Sequence, residues 1–106
     1  MAIGDVVGAI TQIADAGSMT FQPAAGVEVI ITSVGYNANT SPANTGFGMY
    51  DGSNYVEGQL AGTMILPSTG LNGQVKIFVT NSVYLRARND SGGALNFQYT
   101  GITINV

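Results

Sequence analysis

The stretch Val83-Tyr84-Leu85-Arg86-Ala87-Arg88-Asn89-Asp90-Ser91-Gly92-Gly93-Ala94-Leu95-Asn96-Phe97-Gln98-Tyr99-Thr100 decides the fold class. Side chains of a strand alternate between its two faces. Leu85, Ala87, Leu95, Phe97 and Tyr99 therefore fall on one face, and Arg86, Arg88, Asn96, Gln98 and Thr100 on the other. Asn89-Asp90-Ser91-Gly92-Gly93 between them is turn chemistry, so the stretch reads as two half-apolar strands forming a final hairpin. Past Gly101, Ile102, Ile104 and Val106 keep one parity and Thr103 and Asn105 the other.

The same grammar extends towards the N-terminus. Val, Ile and Thr make up 29 of the 106 residues, and their branched Cβ atoms favour a pleated surface over a helix. Strands are expected near 9–14, 18–22, 27–36, 46–51, 54–60, 62–66, 74–80, 83–89 and 95–105. Asp51-Gly52 and Asn72-Gly73 signal hairpin turns, and Asn81-Ser82 joins two further strands. Residues 37–46 form the longest loop, where Pro42 blocks a ladder bond. Residues 2–16 have near-helical apolar spacing, but Gly4 and Gly8 argue against a helix. These signals predict an all-β, antiparallel sandwich or barrel, and an immunoglobulin-like sandwich is one form open to it. No repeat or linker divides the chain, so residues 1–106 read as a single domain.

Composition bounds the function. The chain has no Cys, His or Trp and a net charge of −3, with 8% charged residues against roughly 25% in an average soluble chain. Fifteen glycines and 31 Asn, Gln, Ser and Thr residues replace that charge. Thiol nucleophiles, imidazole bases and zinc sites of the usual N/S kind are excluded by composition. Three basic residues do not make the stripe that a nucleic acid backbone requires. The opening residues lack the basic n-region of a signal peptide, and no apolar run is long enough for a membrane span. A surface so poor in charge reads either as Asn-, Thr-, Ser- and Gly-based solubility or as surface covered by other subunits.

The residues available for chemistry point the same way. Among six carboxylates, Glu28 with Glu57 can be imagined as a two-carboxylate site, and solvated strand positions explain them better. Asp51-Gly52-Ser53-Asn54 offers oxygen ligands, but a calcium loop needs further spaced carboxylates, and a turn explains it better. No enzyme, cofactor or metal site is expected. Arg86 and Arg88 share a strand face with Tyr84; they read as a solvated face or as a contact for an acidic patch on a partner. Phe78 has the opposite parity to Val75, Ile77 and Val79 and is expected to face outwards. In residues 27–36, Val27, Val29 and Ile31 point one way and Ile30, Val34 and Tyr36 the other, so this strand is expected to be covered on both faces. Tyr36, Tyr50 and Tyr55 are a candidate sugar-binding platform.

Residues 83–102 resemble the C-terminal strand pair of small tailed-bacteriophage virion proteins, whose pattern runs Tyr-Leu-Arg-x-Arg/Lys-Asn, a Ser/Gly turn, then Tyr-Thr/Ser-Gly-Ile/Val. Tyr50-Asp51-Gly52-Ser53-Asn54 is similar to an upstream hairpin of the same proteins. The resemblance spans 27–36, 46–58 and 74–104. It implies a head decoration or capsid-stabilising protein with a jelly-roll-like sandwich, often trimeric, bound to the major capsid protein on the outer surface of a virion. Read as a chain short for that family, without an appended receptor-binding domain, it is expected to cement a shell rather than recognise a host. Residues 1–8 are then read as an N-terminal arm reaching a neighbouring subunit. The candidate interface is Ile3, Val6, Val7, Ile30, Val34, Tyr36, Phe78, Tyr84, Arg86 and Arg88. Self-association and the capsid are the expected partners, with no nucleic acid or membrane. The alternative function is a carbohydrate- or receptor-binding module of a phage tail or fibre.

Overall fold

The computed structural model describes residues 2–37, 45–57, 65–66 and 70–106. Its strands are β1 (Val6–Ile13), β2 (Gly17–Phe21), β3 (Glu28–Tyr36), β4 (Gly46–Tyr50), β5 (Tyr55–Glu57), β6 (Ile65–Leu66), β7 (Gly70–Val79), β8 (Tyr84–Asn89) and β9 (Leu95–Asn105). They form a five-stranded sheet in the order β1-β9-β3-β7-β6 and a four-stranded sheet in the order β2-β8-β4-β5, antiparallel throughout. β1 pairs with β9, β2 with β8, β3 with β7 and β4 with β5. The chain is thus one long hairpin rolled into two sheets, the jelly roll. The immunoglobulin-like order does not fit, because that fold builds its sheets from neighbouring hairpins. No helix of the described residues is long and apolar enough to cross a membrane.

Three local expectations are corrected. β8 and β9 are not a hairpin: β8 lies between β2 and β4 in one sheet, β9 between β1 and β3 in the other. Their apolar faces meet across the core, so the shared parity was real although the pairing was not. Asn72-Gly73 is not a turn; it sits inside β7, opposite Gly35 and Val34. Residues 6–8 do not form a free arm, because β1 starts at Val6, and Gly4 N–H donates to Thr103 O at 2.8 Å just before it. The later part of the strand expected at 54–60, the start of the one expected at 62–66, and most of the loop at 37–46 lie outside the described residues.

Thr32 sets the inner face of β3. The register of β3 shifts between Ile31 and Ser33 against both neighbours, leaving Thr32 as an extra, exposed residue opposite β9. Such a bulge reverses the parity beyond it. Val29 and Ile31 before it, and Val34 and Tyr36 after it, therefore all enter the core. The second cover expected for Val34 and Tyr36 is the sandwich interior itself. Phe97 on β9 is fully buried there and packs its ring 5.2 Å from Tyr36 and 5.7 Å, edge-on, from Phe47 on β4, bridging the two sheets. Asn89 closes one end of the core: its Nδ2 donates to Ile13 O and Gly93 O at 2.8 Å each, and its Oδ1 accepts from Ser91 N–H.

The Asp51–Asn54 turn forms as its sequence predicts. Gly52 adopts φ +97°, and the Asp51 carboxylate accepts from Ser53 N–H at 2.8 Å and Asn54 N–H at 2.6 Å. The carboxylate is thus engaged within its own turn. The Asn54 and then the Ser53 backbone bonds hold the Asp51 pKa below its ordinary value.

Two tests follow from these contacts. A Cβ at Gly101 would drive into Ile30 O, beside the bulge. Gly101→Ala is expected to destabilise the fold by about 1–3 kcal/mol or more in urea unfolding; an unchanged midpoint would disprove the close approach. Asp51 has a folded-state pKa depressed below its unfolded value, so its charge stabilises above the unfolded pKa near ~4 and that gain is lost as pH falls through the folded value. Asp51→Asn should therefore be less stable than the wild type at neutral pH, with the gap closing on acidification. A gap independent of pH would contradict this.

Candidate interaction surface

Two outer faces remain once the core is filled. On the five-stranded sheet, the register places Val6 of β1 beside Ile102 of β9, Ile102 beside Ile30 of β3, and Ile30 beside Phe78 of β7. All four point away from the core, forming an apolar row across four strands, about 15 Å at the usual strand spacing. Val6 is 76%, Phe78 58% and Ile102 42% exposed, and Ile30 between them is half-buried. The neighbouring row is polar: Thr100 and Ser33 share a 2.7 Å hydrogen bond, with Gly8 and Gln74 on either side in register. Asn105 Nδ2 donates to Glu28 Oε1 at 2.8 Å at the end of β3. An apolar strip with polar neighbours is the anatomy of an association surface.

The outer face of the four-stranded sheet is built differently. Register sets Tyr50 of β4 between Tyr84 of β8 and Tyr55 of β5, and sets Gly48 opposite Arg86. Gly48 has no side chain to fill this position, and the Arg86 guanidinium carbon lies 4.6 Å from the Tyr50 ring centroid and 4.8 Å from that of Tyr55. Tyr50 meets Tyr55 and Tyr84 edge-on, at 6.2 and 5.7 Å. Arg86 Nε is buried without a hydrogen-bond partner among the described residues, so at that atom the ring faces supply what a carboxylate otherwise would. Arg88 Nε instead pairs with Asp90 at 2.8 Å.

The structure therefore brings Val6, Ile30 and Phe78 together and adds Ile102, which the sequence reading left out. In the sequence Ile102 shares a parity with Ile104 and Val106, and only the register reveals its place between Val6 and Ile30. Ile3 is exposed, in the turn preceding β1. Four of the remaining candidates are corrected. Val34 and Tyr36 are buried by the Thr32 bulge, Val7 packs against the core from the inner face of β1, and Tyr84 is buried beside Tyr50. Tyr36 lies inside the sandwich, away from Tyr50 and Tyr55, so the three tyrosines do not form one platform. Glu28 and Glu57 belong to strands of opposite sheets.

The Arg86 cluster makes a direct prediction. Arg86→Ala should lower stability by about 1–3 kcal/mol through loss of two cation–π contacts and the packing of the stem. Arg86→Lys should recover only part, because an ammonium lacks the planar group that lies against both rings. Full recovery by Lys would show that charge alone matters.

No protein-family model, curated protein or solved structure matches the chain.

Proposed function

We propose that the chain is a non-catalytic structural protein of a virion, a decoration protein that lies on the outer surface of a viral capsid as a homo-oligomer and strengthens it by buried area. The observation carrying this reading is the outward row Val6–Ile102–Ile30–Phe78. Taking such a side chain from full exposure to full burial gains about 1.5–3 kcal/mol, and a free monomer forgoes the part that Val6, Phe78 and Ile102 still expose. The four side chains are uncharged, so their own burial desolvates no ion. The family resemblance in residues 83–102 and 50–54 supplies the capsid as the second partner, besides other copies of the chain.

Co-sedimentation with capsids stripped of this protein tests the reading. Saturable binding at a fixed copy number per shell is expected. Val6→Ser together with Phe78→Ser should weaken it at least about tenfold, since each 1.4 kcal/mol lost is a factor of ten. Absence of saturable binding, or equal binding by the double variant, would sink the proposal.

A further inference from the structure

The geometry points to a second site of association, the free edge of β1, and to its occupant: β1 of a second copy of this chain, paired antiparallel about a two-fold axis at Ala9. This names the copy–copy contact of the homo-oligomer proposed above and rests on that reading.

β1 is an edge strand: its ladder partner among the described residues is β9 alone. Its eight residues, Val-Val-Gly-Ala-Ile-Thr-Gln-Ile, run without a register shift from Val6 to Ile13. Monomeric proteins blunt such edges with lysine, proline, bulges or short strands. β1 has none of these. Gly8, Ala9, Ile10 and Gln12 are all exposed, Ile10 at 80%.

The phase of the β1–β9 ladder identifies the free groups. Thr103 N–H donates to Asp5 O at 2.9 Å while Thr103 O accepts from Gly4 N–H at 2.8 Å, so residue 5 turns its C=O towards β9. Groups facing the partner and groups facing away alternate along an antiparallel strand. Odd-numbered residues of β1 therefore turn their N–H and C=O groups towards β9. Those of Val6, Gly8, Ile10 and Gln12 point away from the sheet.

The self-pair follows from this phase and from charge. In a two-fold pair the stretch faces itself, and only the residue on the axis faces its own copy; residues 6–13 contain no charged side chain, so no register of the stretch on itself sets like charges together. The register that uses every free group sets Val6 against Gln12 of the second copy and Gly8 against its Ile10, making about eight hydrogen bonds. Ala9 then falls on the axis as a non-hydrogen-bonded pair, where strands approach most closely and a methyl group fits. The two five-stranded sheets become one ten-stranded sheet, with both apolar rows on the same continuous face.

Sedimentation velocity and light scattering at tens of micromolar test this. The wild type is expected at twice the 10.9 kDa chain mass. Ala9→Lys and Ala9→Glu should each be monomeric, because like charges meet on the axis, and an equimolar mixture of the two should recover the dimer. Ile10→Pro should also be monomeric while keeping its circular dichroism, since its N–H is not used by β9. Recovery by mixing distinguishes a lost contact from a lost fold. A wild-type monomer or trimer would overturn the inference, as would an Ala9→Lys variant that dimerises like the wild type. Shell binding left intact in chains without the dimer would also overturn it, and the capsid reading would survive. A dimer with these properties that binds no shell would leave the β1 contact standing and remove the capsid reading.

Discussion

Thr32 is the residue on which the rest of the sandwich depends. β3 lies at the centre of the five-stranded sheet, between β9 and β7, and supplies Val29, Ile31, Val34 and Tyr36 to the core. Without an extra residue, the first two and the last two of these would face opposite sides. The bulge aligns them, and Gly101 accommodates the close approach of β9 at that point. Phe97 can then contact Tyr36 and Phe47 together, so that one ring joins the two sheets.

The outer faces follow from the same alignment. Since the inner face takes both halves of β3, Ile30 is the one large apolar side chain that β3 leaves outside, and register completes its row with Ile102, Val6 and Phe78. The four-stranded sheet solves a different problem, covering the space over Gly48 with Arg86 and three tyrosines. One face therefore keeps its apolar groups open, while the other closes its aromatic groups around a cation.

Much of this was legible from composition and period. Short Val-, Ile- and Thr-rich runs between Gly, Asn and Asp mark the strands, and Asp51-Gly52 marks a turn whose carboxylate and glycine act as expected. Parity placed Leu85, Ala87, Phe97 and Tyr99 on one face, which is the buried one, and Phe78 on the surface. What remained hidden depends on non-local pairing. Nothing in Ile-Thr-Ser announces a bulge, because Thr32 is as good a strand residue as its neighbours; Val34 and Tyr36 were consequently assigned to the wrong face. The turn at 89–93 looks the same whether it closes a hairpin or crosses between sheets. Ile102 joins the apolar row only once β9 is known to lie between β1 and β3.

The rolled topology also affects how the protein is made. The nearest pair in the β1–β9 ladder, Ile13 with Leu95, is separated by most of the chain. Closing so large a loop is slow, because its entropy is lost before the ladder repays it. Until β9 arrives, both edges of β1 are bare, and any neighbouring chain that is further along can offer a strand sooner. Folding and association thus compete for the same uncharged strand, and crowding of nascent chains would decide which comes first.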